Sequence, residues 1–246
     1  MTNALHARGP APDGPRGDID APVLVGCSHG TDDAEGRAAV RSILTGVAAY
    51  RPELDVREAF VDVQEPEVAD VVTHALDSDA SGAVVVPLLL SVGFHVKVDI
   101  AAAVDQPGAT AAAPLGPDER LVDILVDRLE TAGLAPDDSV VLAAAGSTDP
   151  AAALAVESVA AGLADRLEQP VTIGYGAGAE PRVPAAVASA RADTPPGGRV
   201  VVASYLLAPG YFYDRVMEAG ADVVASPLAP DERLVQIVLD RYDAAT

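Results

Sequence analysis

Apolar residues fall along this chain in two alternating textures. Short unbroken runs of valine, alanine and leucine give way to stretches in which apolar positions recur every third or fourth residue among acidic ones. The first texture is that of a strand buried on both faces of a parallel sheet, the second that of an amphipathic helix. Runs at 23–27, 56–63 and 83–90 predict three strands, with helices over 32–51 and 67–76 between them and a further helix after Asp99. A short strand at 111–113 is expected next, then a helix over 118–129 opened by an acidic first turn. The order returns with strands at 140–144, 171–175 and 200–204, each followed by a helical stretch.

The return is also literal. PLGPDERLVDILVDRL at 114–129 recurs as PLAPDERLVQIVLDRY at 227–242, with eleven of sixteen positions identical, which chance does not produce. The expected fold class is therefore α/β, with two tandem repeated domains, each a parallel sheet flanked by helices through right-handed crossovers. The expected layout is a disordered Pro/Gly-rich leader over 1–20, an N-terminal domain over 21–135 carrying the active site, and a degenerate repeat over 136–246.

Composition narrows the picture. Half the residues are apolar but only 4% are aromatic, so the core must be aliphatic. No run approaches the ~18 apolar residues of a membrane span, and residues 1–20 lack the apolar segment of a secretory signal. A single cysteine, Cys27, excludes an internal disulfide and fits a reducing, cytoplasmic setting; it reads as a buried strand residue. A net charge of −21 argues against nucleic acid, whose phosphates it would repel. His74 reads as a solvated helix residue, His6 belongs to the leader, and the glycines at 174–178 lack dinucleotide spacing and read as a turn.

Candidate chemistry gathers at the ends of the first three strands. His29 follows strand one, Asp62 closes strand two and His95 follows strand three. Parallel strands bring these ends to one rim, where open α/β sheets bind their ligands. Two imidazoles and a carboxylate suit a divalent first-row metal with positions left open for substrate. Taken singly, each is equally compatible with a solvated loop residue. The repeat acts as an internal control: aligned with itself, the chain has Ala145, Ala177 and Phe212 where the first copy has His29, Asp62 and His95. The duplicate kept the scaffold and lost the three together.

Three segments, Ser28-His29-Gly30-Thr31, AFVDVQEP at 59–66 and VPLLLSVGFHVKVDI at 86–100, resemble in order and spacing the class II tetrapyrrole chelatases of the CbiX/SirB sirohydrochlorin chelatase type. The resemblance covers about residues 22–246 and implies a lyase that inserts Fe2+ or Co2+ into sirohydrochlorin for siroheme or cobalamin synthesis, iron being placed slightly first. It implies His29 and His95 as catalytic and metal-binding residues. Asp62 stands where such enzymes usually carry glutamate, its carboxylate withdrawn by about one C–C bond, which leaves open direct ligation, a held water or a part in orienting a histidine. Metal insertion requires two pyrrole N–H protons to leave, and an imidazole of ordinary pKa near 6.5 takes one at cellular pH.

Partners expected are sirohydrochlorin and the divalent metal, with no other cofactor, no nucleic acid and no membrane; the chain is expected to be a monomer or homodimer. A polycarboxylate ring entering so acidic a protein needs local positive charge, for which Lys97, the only lysine, comes first, with Arg182 and Arg215 behind it. Ser91 joins the substrate-binding set. Tyr205, Tyr211, Phe212 and Tyr213 put four of nine aromatics within nine residues. Tyr211 and Phe212 are expected as an apolar wall for a flat macrocycle, with ordinary packing between halves the competing explanation. A non-catalytic metal or tetrapyrrole carrier is the rival of another class. Phosphoryl transfer from His29 fits poorly, since Ser28 precedes it and Asp32-Asp33 follow where phosphate needs cations.

Overall fold

The computed structural model describes residues 21–78, 80–93 and 96–246. The expected leader, His6, Phe94 and His95 lie outside the described residues. β1 (Val23–Ser28), β2 (Val56–Phe60), β3 (Ala83–Pro87) and β4 (Ala109–Ala111) form one parallel sheet in the order β2-β1-β3-β4. β5 (Ser139–Ala144), β6 (Val171–Tyr175), β7 (Val200–Tyr205) and β8 (Val223–Val224) form a second in the order β6-β5-β7-β8. The registers superimpose: Ser28 pairs with Phe60 as Ala144 pairs with Tyr175, so Ala145 and Ala177 do stand where His29 and Asp62 stand in the first copy.

The helices are α1 (Ala34–Tyr50), α2 (Val68–Leu76), α3 (Ala101–Ala103, continuing a π-helical turn at Val96–Ile100), α4 (Glu119–Thr131), α5 (Pro150–Leu167), α6 (Val183–Asp193), α7 (Tyr211–Met217) and α8 (Glu232–Asp243). The run expected as strand over 83–90 leaves the sheet after Pro87, which supplies no N–H to a further ladder bond. Leu88 keeps one bond, to the Cys27 carbonyl at 2.7 Å, and Leu88–Leu90 then turn toward the space between the halves. Among the described residues no helix is long and apolar enough to cross a membrane.

Each sheet is covered on its outer face by its own helices, α2 and α3 on the first and α6 and α7 on the second. The inner faces are covered crosswise. α8, the last element of the chain, packs on β3 beside α1, while α4 packs on β7 beside α5. One continuous aliphatic core results, running from Leu24 and Val86 through Leu125 and Ile237 to Leu142 and Val201. The recurring sequence sits at this crossing. Asp118 and Asp231 cap their helices by accepting from the N–H groups of Arg120 and Arg233 at 3.1 and 3.0 Å. Arg120 then reaches Asp240 at 2.6 Å, and Arg233 reaches Asp127 at 2.6 Å. Arg128 donates to the carbonyls of Pro227, Leu228 and Pro230, and Arg241 to those of Pro114 and Leu115. What the sequence shows as a repeat is, in space, a two-fold exchange of arginines.

Candidate active site

The C-terminal ends of both sheets open onto a cleft of about 990 Å³ between the halves. Two loops of the first half build its polar lip. Gly30 takes φ +90°, a conformation only glycine adopts freely, and a side chain there would meet the Asp62 carbonyl at 3.2 Å. The loops are also tied by Val61 N–H to the Ser28 carbonyl at 3.1 Å and Thr31 N–H to the Gln64 amide oxygen at 2.9 Å. These ties hold His29 and Asp62 together, Nε2 to Oδ2 at 3.9 Å, with both side chains about half exposed. Two ligands of one ion, each bonded at about 2.1 Å, stand roughly 3–4 Å apart, so the pair can share a divalent metal.

Among the described residues no group of three or more His, Cys, Asp or Glu side chains could hold a metal ion. His95 lies outside that set, two residues beyond Gly93, which with Ser91 lines the cleft. Cys27 is buried in the outer core with Val23, Val25 and Ala59, and burial first, then the charge of Asp99, pushes its thiol up to about 12. A neutral buried thiol is no ligand, and His74 is exposed on α2, as expected of both.

The expected cations stand elsewhere. Lys97 does not line the cleft; its N–H donates to the Gly93 carbonyl at 3.1 Å, and its ammonium pairs with Asp149, the cap of α5 in the second half. Arg182 pairs with Glu180 at 3.1 Å, and Arg215 with Glu218 at 3.4 Å while its guanidinium lies 5.3 Å above the Tyr211 ring. The cation lining the cleft among the described residues is Arg37, in the first turns of α1, which sequence reasoning missed. Its only signal was helical spacing, eight residues after His29.

The opposite wall is apolar apart from Asp214 and Ser147. Tyr211 and Phe212 line it with their rings edge-on at 5.4 Å, joined by Tyr213, Leu206 and Leu207. Tyr205 divides the competing explanations: it is buried and its hydroxyl donates to the Leu90 carbonyl at 3.0 Å, so it packs the halves together. Burial pushes that phenol's pKa up, so it stays a donor. Such a cleft is an aliphatic and aromatic slot with His29, Asp32, Asp33, Arg37 and Glu58 on the first half's side, Asp214 on the second's and the His29–Asp62 pair at its lip, a shape that suits a large flat ring.

The family model described as CbiX matches the chain twice, at residues 23–132 and 139–245. A sirohydrochlorin cobaltochelatase of Sulfolobus acidocaldarius is 35% identical over 81 residues, 31% of this chain and 66% of that protein. A sirohydrochlorin ferrochelatase of Priestia megaterium is 30% identical over 141 residues, 52% of each. The chain thus spans between half and two thirds of the length of these curated relatives. Among solved structures, SirB from Bacillus subtilis with Fe3+ superposes with a TM-score of 0.77 at 20% identity, over 91% of this chain and 94% of that one. The structure described as CbiX, terminal enzyme of siroheme biosynthesis in denitrifying bacteria, gives 0.63 at 21%, over 91% and 99%. At those identities the likeness is one of fold.

Proposed function

The chain belongs to the CbiX family, and from that premise we propose that it inserts a divalent metal, Fe2+ or Co2+, into sirohydrochlorin within the cleft. The observation that carries the reading is the His29–Asp62 pair at 3.9 Å on the lip of a slot lined opposite by Tyr211 and Phe212. The reaction exchanges two protons for one cation: M2+ binds the four ring nitrogens as two N–H protons leave. Asp62 and one of the two histidines, His29 or His95, hold the ion weakly enough to release it. One histidine holds metal while the other accepts a proton, and each proton then passes to solvent at the half-exposed lip. Iron is put first, and a reducing cytoplasm would keep it ferrous; relatives carry both the ferro- and the cobalto- name.

Anaerobic sirohydrochlorin offered Fe2+, Co2+ and Ni2+ in turn, followed by absorbance, tests the reading. Wild-type protein is expected to accelerate formation of the metallated spectrum. His29→Ala and His95→Ala are each expected to return it to the spontaneous rate with the fold intact, and full activity in either would end the proposal. Binding of ring and metal without a product spectrum would instead identify a carrier.

A further inference from the structure

The strand ends that frame the cleft are duplicated, but among the described residues its basic groups, His29 and Arg37, lie on the first copy's wall only. Asp33 and Asp149 cap α1 and α5 at equivalent places, and four residues on from each cap the first copy has Arg37 where the second has Ala153. Both line the cleft. Arg37 also differs from the other cations. Among the described residues each other lysine or arginine either meets a carboxylate within 3.4 Å or, as Arg128, donates to three backbone carbonyls. Arg37 makes one long bond, Nη1 to the Thr31 carbonyl at 3.4 Å, and no ion pair. In a chain with 37 acidic residues, a half-buried arginine left without one faces the cleft.

We propose that Arg37 anchors a carboxylate of the substrate ring and thereby fixes which edge of that ring lies against His29. This rests on the reading above that the substrate is a polycarboxylate tetrapyrrole. A planar guanidinium binds a carboxylate through two parallel N–H bonds, and the long contact to Thr31 leaves those donors available. The methyl of Ala153 offers the opposite edge nothing comparable, so the two orientations related by the pseudo-two-fold axis are unequal. His29 and Arg37 line one wall where the other copy has Ala145 and Ala153: one wall reacts and anchors while the other covers.

The test compares wild type, Arg37→Ala, Arg37→Gln and Arg37→Lys, with Arg166→Ala as a control for lost surface charge. Arg37→Ala and Arg37→Gln are expected to raise Kd and KM for sirohydrochlorin about tenfold and to leave KM for Co2+ within about twofold. Arg37→Lys should recover part of the loss and Arg166→Ala should match wild type. The gap between wild type and Arg37→Gln should close when the ring's carboxylates are methyl-esterified. An unchanged Kd for sirohydrochlorin in Arg37→Gln, or an equal loss with the esterified ring, overturns the proposal while the chelatase reading stands. Wild-type protein that neither binds nor metallates sirohydrochlorin overturns both.

Discussion

Val63 is the residue where the first copy departs from its duplicate at a cost. It sits at φ 38°, in the left-handed region that β-branched residues avoid, and its counterpart in the second copy is Gly178 at φ 69°. Such a conformation costs about 1–3 kcal/mol. Val63→Gly is therefore expected to stabilise the protein by about 1 kcal/mol net of glycine's greater unfolded-state freedom, raising Tm by about 2–4 °C. A thermal melt that moved down would show that the valine side chain contributes more than its backbone costs. The loop that Val63 serves was legible in the sequence, because strand ends in a parallel sheet must share a rim, and His29 and Asp62 meet there. Arg37 was not: on a helix in so acidic a chain it looks like any other solvated cation, and only the tertiary ledger of partners separates it. Lys97 came first as the chain's only lysine, but its ammonium pairs with Asp149.

At the scale of elements, α4 and α8 hold the halves in register. Arg128 satisfies three carbonyls of the turn before α8, one of them on the fully buried Leu228, and Arg241 satisfies two before α4 while also meeting Asp118 at 3.0 Å. Arg128→Ala leaves those carbonyls without donors and is expected to cost about 2–3 kcal/mol in urea unfolding. Arg128→Lys should recover little, since one ammonium lacks the planar fork that spans three acceptors. Burial alone would raise the Asp118 and Asp231 carboxyls, but hydrogen bonds from Arg120 and Arg233, with the charges of Arg241 and Arg128, outweigh it and hold both below their usual range. The repeated stretch announced two helices with acidic caps, which is what local pattern encodes. That each helix lies on the other copy's sheet is a property of the pair, and no periodicity within one copy records it.

For the molecule as a whole, the joint between the copies makes stability depend on acid. Asp138 is buried, accepts from Arg199 and from the backbone of Ala135, and these bonds bring its carboxyl from an ordinary 3.8 to about 2. A carboxyl more acidic in the folded state stabilises fully above its unfolded pKa and stops doing so as pH falls through the folded one. That contribution is thus complete by about pH 5 and lost between about pH 4 and 2. Asp138→Asn should lower the urea midpoint at pH 7 and erase most of its difference from wild type near pH 2. An undiminished difference at low pH would remove Asp138 from the acid response.

Tyr205 gives the two-copy architecture one more meaning. Its hydroxyl donates to the Leu90 carbonyl from the far side, and Lys97 crosses back to Asp149, so Leu90 and Lys97 are each tied to the opposite copy. The copies cannot part at this edge without breaking both contacts. Widening the cleft and breaking those two cross-copy contacts would then be a single event.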